Sequence, residues 1–210
     1  MPRHADRDGR RADLADAALS LALDQGLERV TVPRIAAAAG VSVGLVQHYF
    51  PAKADLVVVA YERLGARVDE RVGAIVQAGE SAGGTIRQMM TAALEQFLPL
   101  DDARREEGRV RTEFAARALR GDALAHVAAD LRRRLEARLA AAVDNGRECG
   151  ETASGAVAGD AAAELLALSD GLAAGGLLGG DCGQARRLIS HAVLRTLPGA
   201  CRRGEGPAGS

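Results

Sequence analysis

Aromatic side chains are nearly missing from these 210 residues: there are two Tyr, three Phe and no Trp. Ala, Leu and Val must therefore fill whatever core the chain builds. Lysine is scarcer still, Lys53 being the only one, so positive charge is carried by Arg. An excess of either charge is absent too: the formal net charge is -1, which excludes a bulk attraction to nucleic acid and leaves only a local basic patch. Cys149, Cys182 and Cys201 are odd in number and far apart, with no CxxC or Cys/His cluster. That spacing suggests neither a disulfide framework nor a zinc motif, so no metal and no cofactor is expected. The start, PRHADRDGRR, lacks the apolar centre of a signal peptide, and no run approaches ~18 uninterrupted apolar residues. The expectation is a cytoplasmic protein with free thiols and no membrane partner. No segment alternates with period two, so strands are not expected either.

What the chain does have is helical periodicity, punctuated by Gly and Pro. Leu14, Ala17, Ala18, Leu21 and Ala22 form a stripe that Gly26 should stop. After the connector LERVTV, Pro33 suits a first helical turn and Gly40 an end, which predicts a helix of two turns. Ser42 can cap a third helix, with Val41 and Val46 placed as a hydrophobic staple, and Phe50-Pro51 closes it. A long helix is expected over about 52–78 and a break over 79–84. Further helices are expected over about 85–98, 101–120, 122–145 with its stop at Gly146, 157–178 and 182–197. The fold class is all-α with about nine helices.

Ala36, Gly40 and Val46 follow the order Ala-x3-Gly-x5-Val. A helix-turn-helix needs a small residue at the helix crossing, a glycine for the left-handed turn and an aliphatic residue buried between the helices. The outward face of the second short helix then carries Val43, Gly44, Gln47, His48 and part of Tyr49. Gln47 can pair with an adenine edge, His48 and Tyr49 can donate to phosphates, and Val43 or Leu45 can meet a thymine methyl. Gly44 lets backbone approach closely, and Lys53 sits where it and free backbone amides could hold a phosphate.

The run VTVPRIAAAAGVSVGLVQHYFPAKADL resembles the DNA-binding domain of TetR-family transcriptional regulators. The likeness lies in Thr31, Ile35-Ala36, Ala39-Gly40-Val41-Ser42, Gly44, His48-Tyr49-Phe50, Lys53 and Leu56. Gln47 stands where the family often has Tyr, and Val43 where a polar or basic residue is common; both bear on which operator is read. Farther on, EFAARAL and LLALSDGL resemble a regulatory domain of the betaine-regulator type. The polar, charged residues 1–10 are expected to form a flexible arm, and the tail at 199–210 is too rich in Gly, Pro and Arg to fold alone. Between them the resemblance implies a helix-turn-helix domain at 11–55 and an effector-binding and dimerisation domain at 56–198. It implies a homodimeric repressor that binds a palindromic double-stranded DNA operator and is released by a small-molecule effector of unknown identity. DNA contacts are expected from Thr31, Arg34, Val43, Gly44, Leu45, Gln47, His48, Tyr49 and Lys53. The effector pocket is expected at Met89, Met90, Phe97, Phe114, Arg117 and Leu172. The dimer interface is expected at Leu165, Leu168, Leu188, Ile189, Ala192 and Val193.

Two other readings stay open at this level. A helix-turn-helix can serve protein contacts alone. An enzyme is the weaker alternative: no nucleophile elbow, phosphate loop or HExxH occurs, His126 and His191 stand singly, and GLAAGGLLGG follows no strand. No catalytic residue is expected.

Overall fold

The computed structural model describes residues 2–121 and 123–201, with side chains described from residue 9 onward. Among these residues there are nine α-helices and no strand: α1 (Pro2–Gln25), α2 (Val32–Ala39), α3 (Val43–Tyr49), α4 (Lys53–Ser81), α5 (Ile86–Glu95), α6 (Asp102–Ala118), α7 (Ala123–Cys149), α8 (Ala158–Leu177) and α9 (Cys182–Thr196). A short 3-10 turn, Leu27–Arg29, joins α1 to α2. The all-α expectation holds. No described helix is long and apolar enough to cross a membrane. The expected disordered tail falls, from residue 202 on, outside the described residues.

Two helix ends differ from the sequence reading. α1 begins at Pro2, so residues 2–10 of the expected flexible arm are helical backbone. Pro2 suits a first helical turn, and the Ala- and Arg-rich run behind it favours helix. α7 does not stop at Gly146 but runs on to Cys149. A Cβ on Gly146 would lie 2.6 Å from Thr152 Oγ1 and 2.7 Å from Leu197 Cδ2, so this glycine serves close packing. The left-handed residue that ends α7 is Gly150, with φ 93°.

The chain divides into two compact units. The first gathers the chain up to Val68 together with Arg109–Leu131; the second holds Asp69–Gly108 and the chain from Arg132 on. The division falls inside α4, α6 and α7.

In the first unit Leu14, Leu27, Ile35, Val46, Phe50, Leu56, Leu64, Phe114 and Leu124 are buried in one cluster. Full burial of an aliphatic side chain is worth about 1.5–3 kcal/mol, so this cluster fixes the three short N-terminal elements that could not be stable alone. Asp16 on α1 receives hydrogen bonds from Arg63 Nε at 2.7 Å and Arg67 Nη2 at 3.2 Å on α4.

In the second unit Met90, Leu94, Leu98, Val143, Leu165, Ile189, Val193 and Leu197 form a separate cluster among α5, α7, α8 and α9. All of the first four amides of α5 find acceptors. Thr85 and Gln88 close a capping box, and the Glu151 carboxylate accepts from the Ile86 and Arg87 N–H groups at 3.0 and 2.9 Å. Glu151 is fully buried, so it is paid for by these bonds and by the positive end of the helix.

Candidate nucleic-acid interface and regulatory cavity

α2 ends in a left-handed glycine. Gly40 has φ 66° and ψ 34°; its N–H bonds to Ala37 O at 3.3 Å, and the Val41 N–H bonds to Ala36 O at 2.9 Å. That is the Schellman arrangement, and it turns the chain sharply toward α3. Ser42 then caps α3, its Oγ accepting from the Leu45 N–H at 3.2 Å. Val46 is buried while Val41 packs partly buried on the same cluster, the staple the spacing predicts. The Phe50 N–H closes the helix on Val46 O at 2.8 Å, and its buried ring lies 5.5 Å under the Arg11 guanidinium.

With Val46 and Phe50 turned inward, α3 presents its other face to solvent. Val43, Gly44, Gln47 and His48 are exposed, and Val43 keeps 42% of its surface accessible. Tyr49 is half-buried and meets His48 edge-on, ring centroids 5.4 Å apart. Leu45 is half-buried as well, leaving its methyls less available than those of Val43. A Cβ on Gly44 would meet nothing within 4 Å, so the fold itself does not require glycine there. Thr31, half-buried, is the N-cap residue of α2, and exposed Arg34 donates to the Gln25 side chain. Lys53 is exposed at the start of α4. The acid that a helix N-terminus favours is supplied two residues on, where Asp55 accepts from the Ala52 N–H at 2.9 Å.

A seven-residue helix, capped at one end and stapled to its neighbour, thus offers a polar-apolar face of the size of a major-groove reading helix. Residues 14–60 match the sequence profile of bacterial regulatory proteins of the tetR family, and residues 86–198 match that of the BetI-type transcriptional repressor, C-terminal. The chain belongs to the TetR family of transcriptional regulators. Its regulatory half is of the BetI type.

BetI of Rhizobium meliloti is 31% identical over 140 residues, 66% of each chain. PksA of Bacillus subtilis is 32% identical over 72 residues, so the match spans about a third of that relative (35%) and 34% of this chain. Among solved structures, a transcriptional regulator from Rhodococcus sp. Rha1 is 31% identical with a TM-score of 0.68, covering 87% of this chain and 91% of that one. A regulator from Saccharomonospora viridis solved in complex with choline shares the fold at 21% identity and a TM-score of 0.74, covering 90% of this chain and 98% of its own.

The second unit of this TetR-family chain contains a cavity of about 920 Å³. Met89, Met90 and Phe97 line it, with Val72, Val76, Leu139 and Leu166, while Glu80, Asn145 and Glu148 add polar groups. Arg138 also lines it and is ion-paired with Asp69. The other three residues expected there lie elsewhere. Phe114 belongs to the first unit and is buried on Tyr61; Arg117, in the same unit, pairs with Glu28. The reason is helical phase: Val110, Phe114 and Ala118 are spaced by four along α6 and all three are buried in the first cluster. Leu172 packs partly buried on the second cluster and does not line the cavity.

Of the expected interface residues, Leu165, Ile189, Ala192 and Val193 are buried in this chain's own core, and Leu168 is half-buried against it. Leu188 is exposed. The solvent side of α8 carries Ala163, Ala167, Gly171, Ala174 and Gly175 instead, and that of α9 carries Leu188, His191 and Leu194. The family resemblance names apolar residues on both helices but not which of them this chain buries in its own core.

One grouping has no counterpart in the sequence reading. Cys149, Glu151 and Cys201, two of them 52 positions apart, have their ligand atoms within 4.8 Å of one another at the cavity wall. Burial pushes the Cys149 thiol up to about 11. No spacing rule connects the end of α7 to a residue beyond α9.

Proposed function

We propose that this regulator represses transcription by placing α3 of each subunit of a homodimer in successive major grooves of a palindromic operator. The observation that carries the reading is the division of α3 itself: Val46 is buried, while Val43, Gly44, Gln47 and His48 face solvent. Gln47 reads a base edge, while His48, Tyr49, Thr31, Arg34 and Lys53 supply phosphate contacts. The protein acts by binding rather than catalysis, in the cytoplasm where its operator lies. The small-residue face of α8, with the exposed side of α9, suits the close helix approach of a four-helix dimer interface.

The effector occupies the cavity of the second unit. A quaternary ammonium ligand is ordinarily held by a cage of several aromatic rings, and Phe97 is the only aromatic on this lining. The lining favours a larger, mainly apolar molecule that the flexible Met89 and Met90 can mould around, with a cationic or hydrogen-bonding end at Glu80 and Glu148. The test is binding of the purified protein to DNA upstream of its own gene, followed by gel shift across a salt series. A steep fall in affinity with salt and two protomers per site support the reading. Salt-insensitive or absent DNA binding, with retention of a protein partner, would instead favour a protein-interaction module.

A further inference from the structure

We propose that Cys149, Cys201 and Glu151 form a binding site for a soft, thiophilic cation of the Zn²⁺ or Cd²⁺ class. The three side chains offer two sulfurs and one carboxylate oxygen, all within 4.8 Å of one another. A tetrahedral zinc has Zn–S near 2.3 Å and Zn–O near 2.0–2.2 Å, which makes ligand-to-ligand edges of roughly 3.5–3.8 Å. Cys149 Sγ and Glu151 Oε1, 3.3 Å apart, already lie close to such an edge.

The site is built, not a chance meeting of surface groups. Cys149 is buried, and its Sγ lies 3.3 Å from Glu151 Oε1 and 3.4 Å from Gly146 O. Glu151 is fully buried, and each of its oxygens accepts one α5 amide, Oε1 from Ile86 and Oε2 from Arg87. A carboxylate has about four lone-pair positions, so Oε1 keeps one for a metal on the Cys149 side. Cys201 is brought back by a specific backbone pairing. The Gly199 N–H bonds to Glu151 O at 2.9 Å, and the Ala153 N–H bonds to Thr196 O at 2.9 Å. Gly199 is needed for that approach, since a Cβ there would lie 2.1 Å from Gly150 O. The Arg87 guanidinium holds the same returning segment through Leu197 O and Gly199 O, both at 3.3 Å.

Charge favours the same assignment. On binding, two S–H bonds are replaced by two S–metal bonds and the two protons pass to solvent. Two thiolates, a carboxylate and a divalent cation leave one net negative charge, next to the positive end of α5 and the Arg87 guanidinium. Three protein ligands leave a fourth position for water or for a molecule in the cavity, whose wall all three residues share. Softness follows from the two sulfurs, which disfavour Mg²⁺ and Ca²⁺. The site stands apart from the operator reading, because its readout is metal uptake in the absence of DNA.

The test uses the full, untagged, reduced chain titrated with Zn²⁺ against a chromophoric chelator, and with Cd²⁺ to read thiolate-to-metal charge-transfer absorption. One metal per chain is expected, with the charge-transfer band. Cys201→Ser lies outside both core clusters and should leave the helical content intact while lowering affinity by more than tenfold, about the least expected for a direct ligand. Cys182→Ser, remote from the group, should bind as the wild type does. No uptake by fully reduced protein, unchanged affinity in Cys201→Ser, or an equal loss in Cys182→Ser would each overturn the assignment.

Discussion

Tyr61 stacks on Phe114, ring centroids 4.6 Å apart and planes 17° from parallel, within the first unit of the chain. The contact binds α4 to α6 in the cluster that also buries Val46 and Phe50, and so it supports the element that carries the reading helix. Offset aromatic stacking adds about 0.5–1.5 kcal/mol beyond the area it buries. Phe114→Ala should therefore destabilise the protein by about 3–5 kcal/mol, whereas Phe114→Leu should cost about 1.5 kcal/mol or less. Urea unfolding measures both. A Phe114→Ala protein of unchanged stability, altered only in its response to effectors, would show that the residue lines the cavity after all.

Asp16 ties α1 to α4 in the same unit through charge. Burial alone would raise its carboxyl, but hydrogen bonds and charge from Arg63 and Arg67 outweigh that and hold it below its ordinary value. A carboxyl lowered on folding contributes stability above its unfolded value of 3.8, and the contribution disappears as pH falls through the folded value. The wild type should thus lose this increment only below about pH 4. Asp16→Asn should lack it already at neutral pH, by about 1 kcal/mol or less because the group is partly exposed, and should have a shallower acid limb. Thermal unfolding across pH 3–7 compares the two; parallel curves would remove Asp16 from the account.

The helix-turn-helix was legible in the sequence because its signals are local. Pro33, Gly40, Ser42 and Pro51 fix helix ends within a few residues of themselves, and each acts there in the structure or, like Pro51, just past a helix end. Long-range choices were not legible. A helical glycine reads as a stop until something presses on it, and Thr152 and Leu197 press on Gly146 from outside its own turn. Phe114 carries no mark of which unit it enters, since α6 serves both. An apolar residue of α8 or α9 that packs inward looks the same in sequence as one that awaits a partner chain. Cys149 and Cys201 meet only because Gly199 lets the chain beyond α9 lie against Gly150.

Gln47 and Lys53 differ in what they can read. Gln47 is exposed on α3 and offers a donor and an acceptor to a base edge; Lys53, exposed at the head of α4, offers only a point charge. Gln47→Ala should cost about 1–3 kcal/mol on the preferred operator and relax preference at one base pair. Lys53→Ala should weaken all duplexes alike and reduce the magnitude of the salt slope by about 0.9 per subunit. Selection from a random duplex pool, followed by salt titration of the selected site, separates the two. An altered base preference in Lys53→Ala with an unchanged slope would reverse the assignment.

Gly44 offers the sharpest separation of folding from reading. Apart from its chain neighbours and its own helix backbone, nothing lies within 4 Å of where its Cβ would be, and glycine instead of alanine costs α3 about 1 kcal/mol of helix propensity. A residue that weakens its own helix without relieving any internal contact is explained by something outside the chain that must come close. Gly44→Ala should therefore raise the melting temperature or leave it unchanged while reducing operator affinity by roughly tenfold, the cost of about 1.4 kcal/mol of lost approach. Differential scanning calorimetry and fluorescence anisotropy on the same preparation give both numbers. Equal operator affinity in Gly44→Ala would mean that α3 does not bring its backbone against DNA at this position, and the groove contact would then have to shift toward Gln47 and His48.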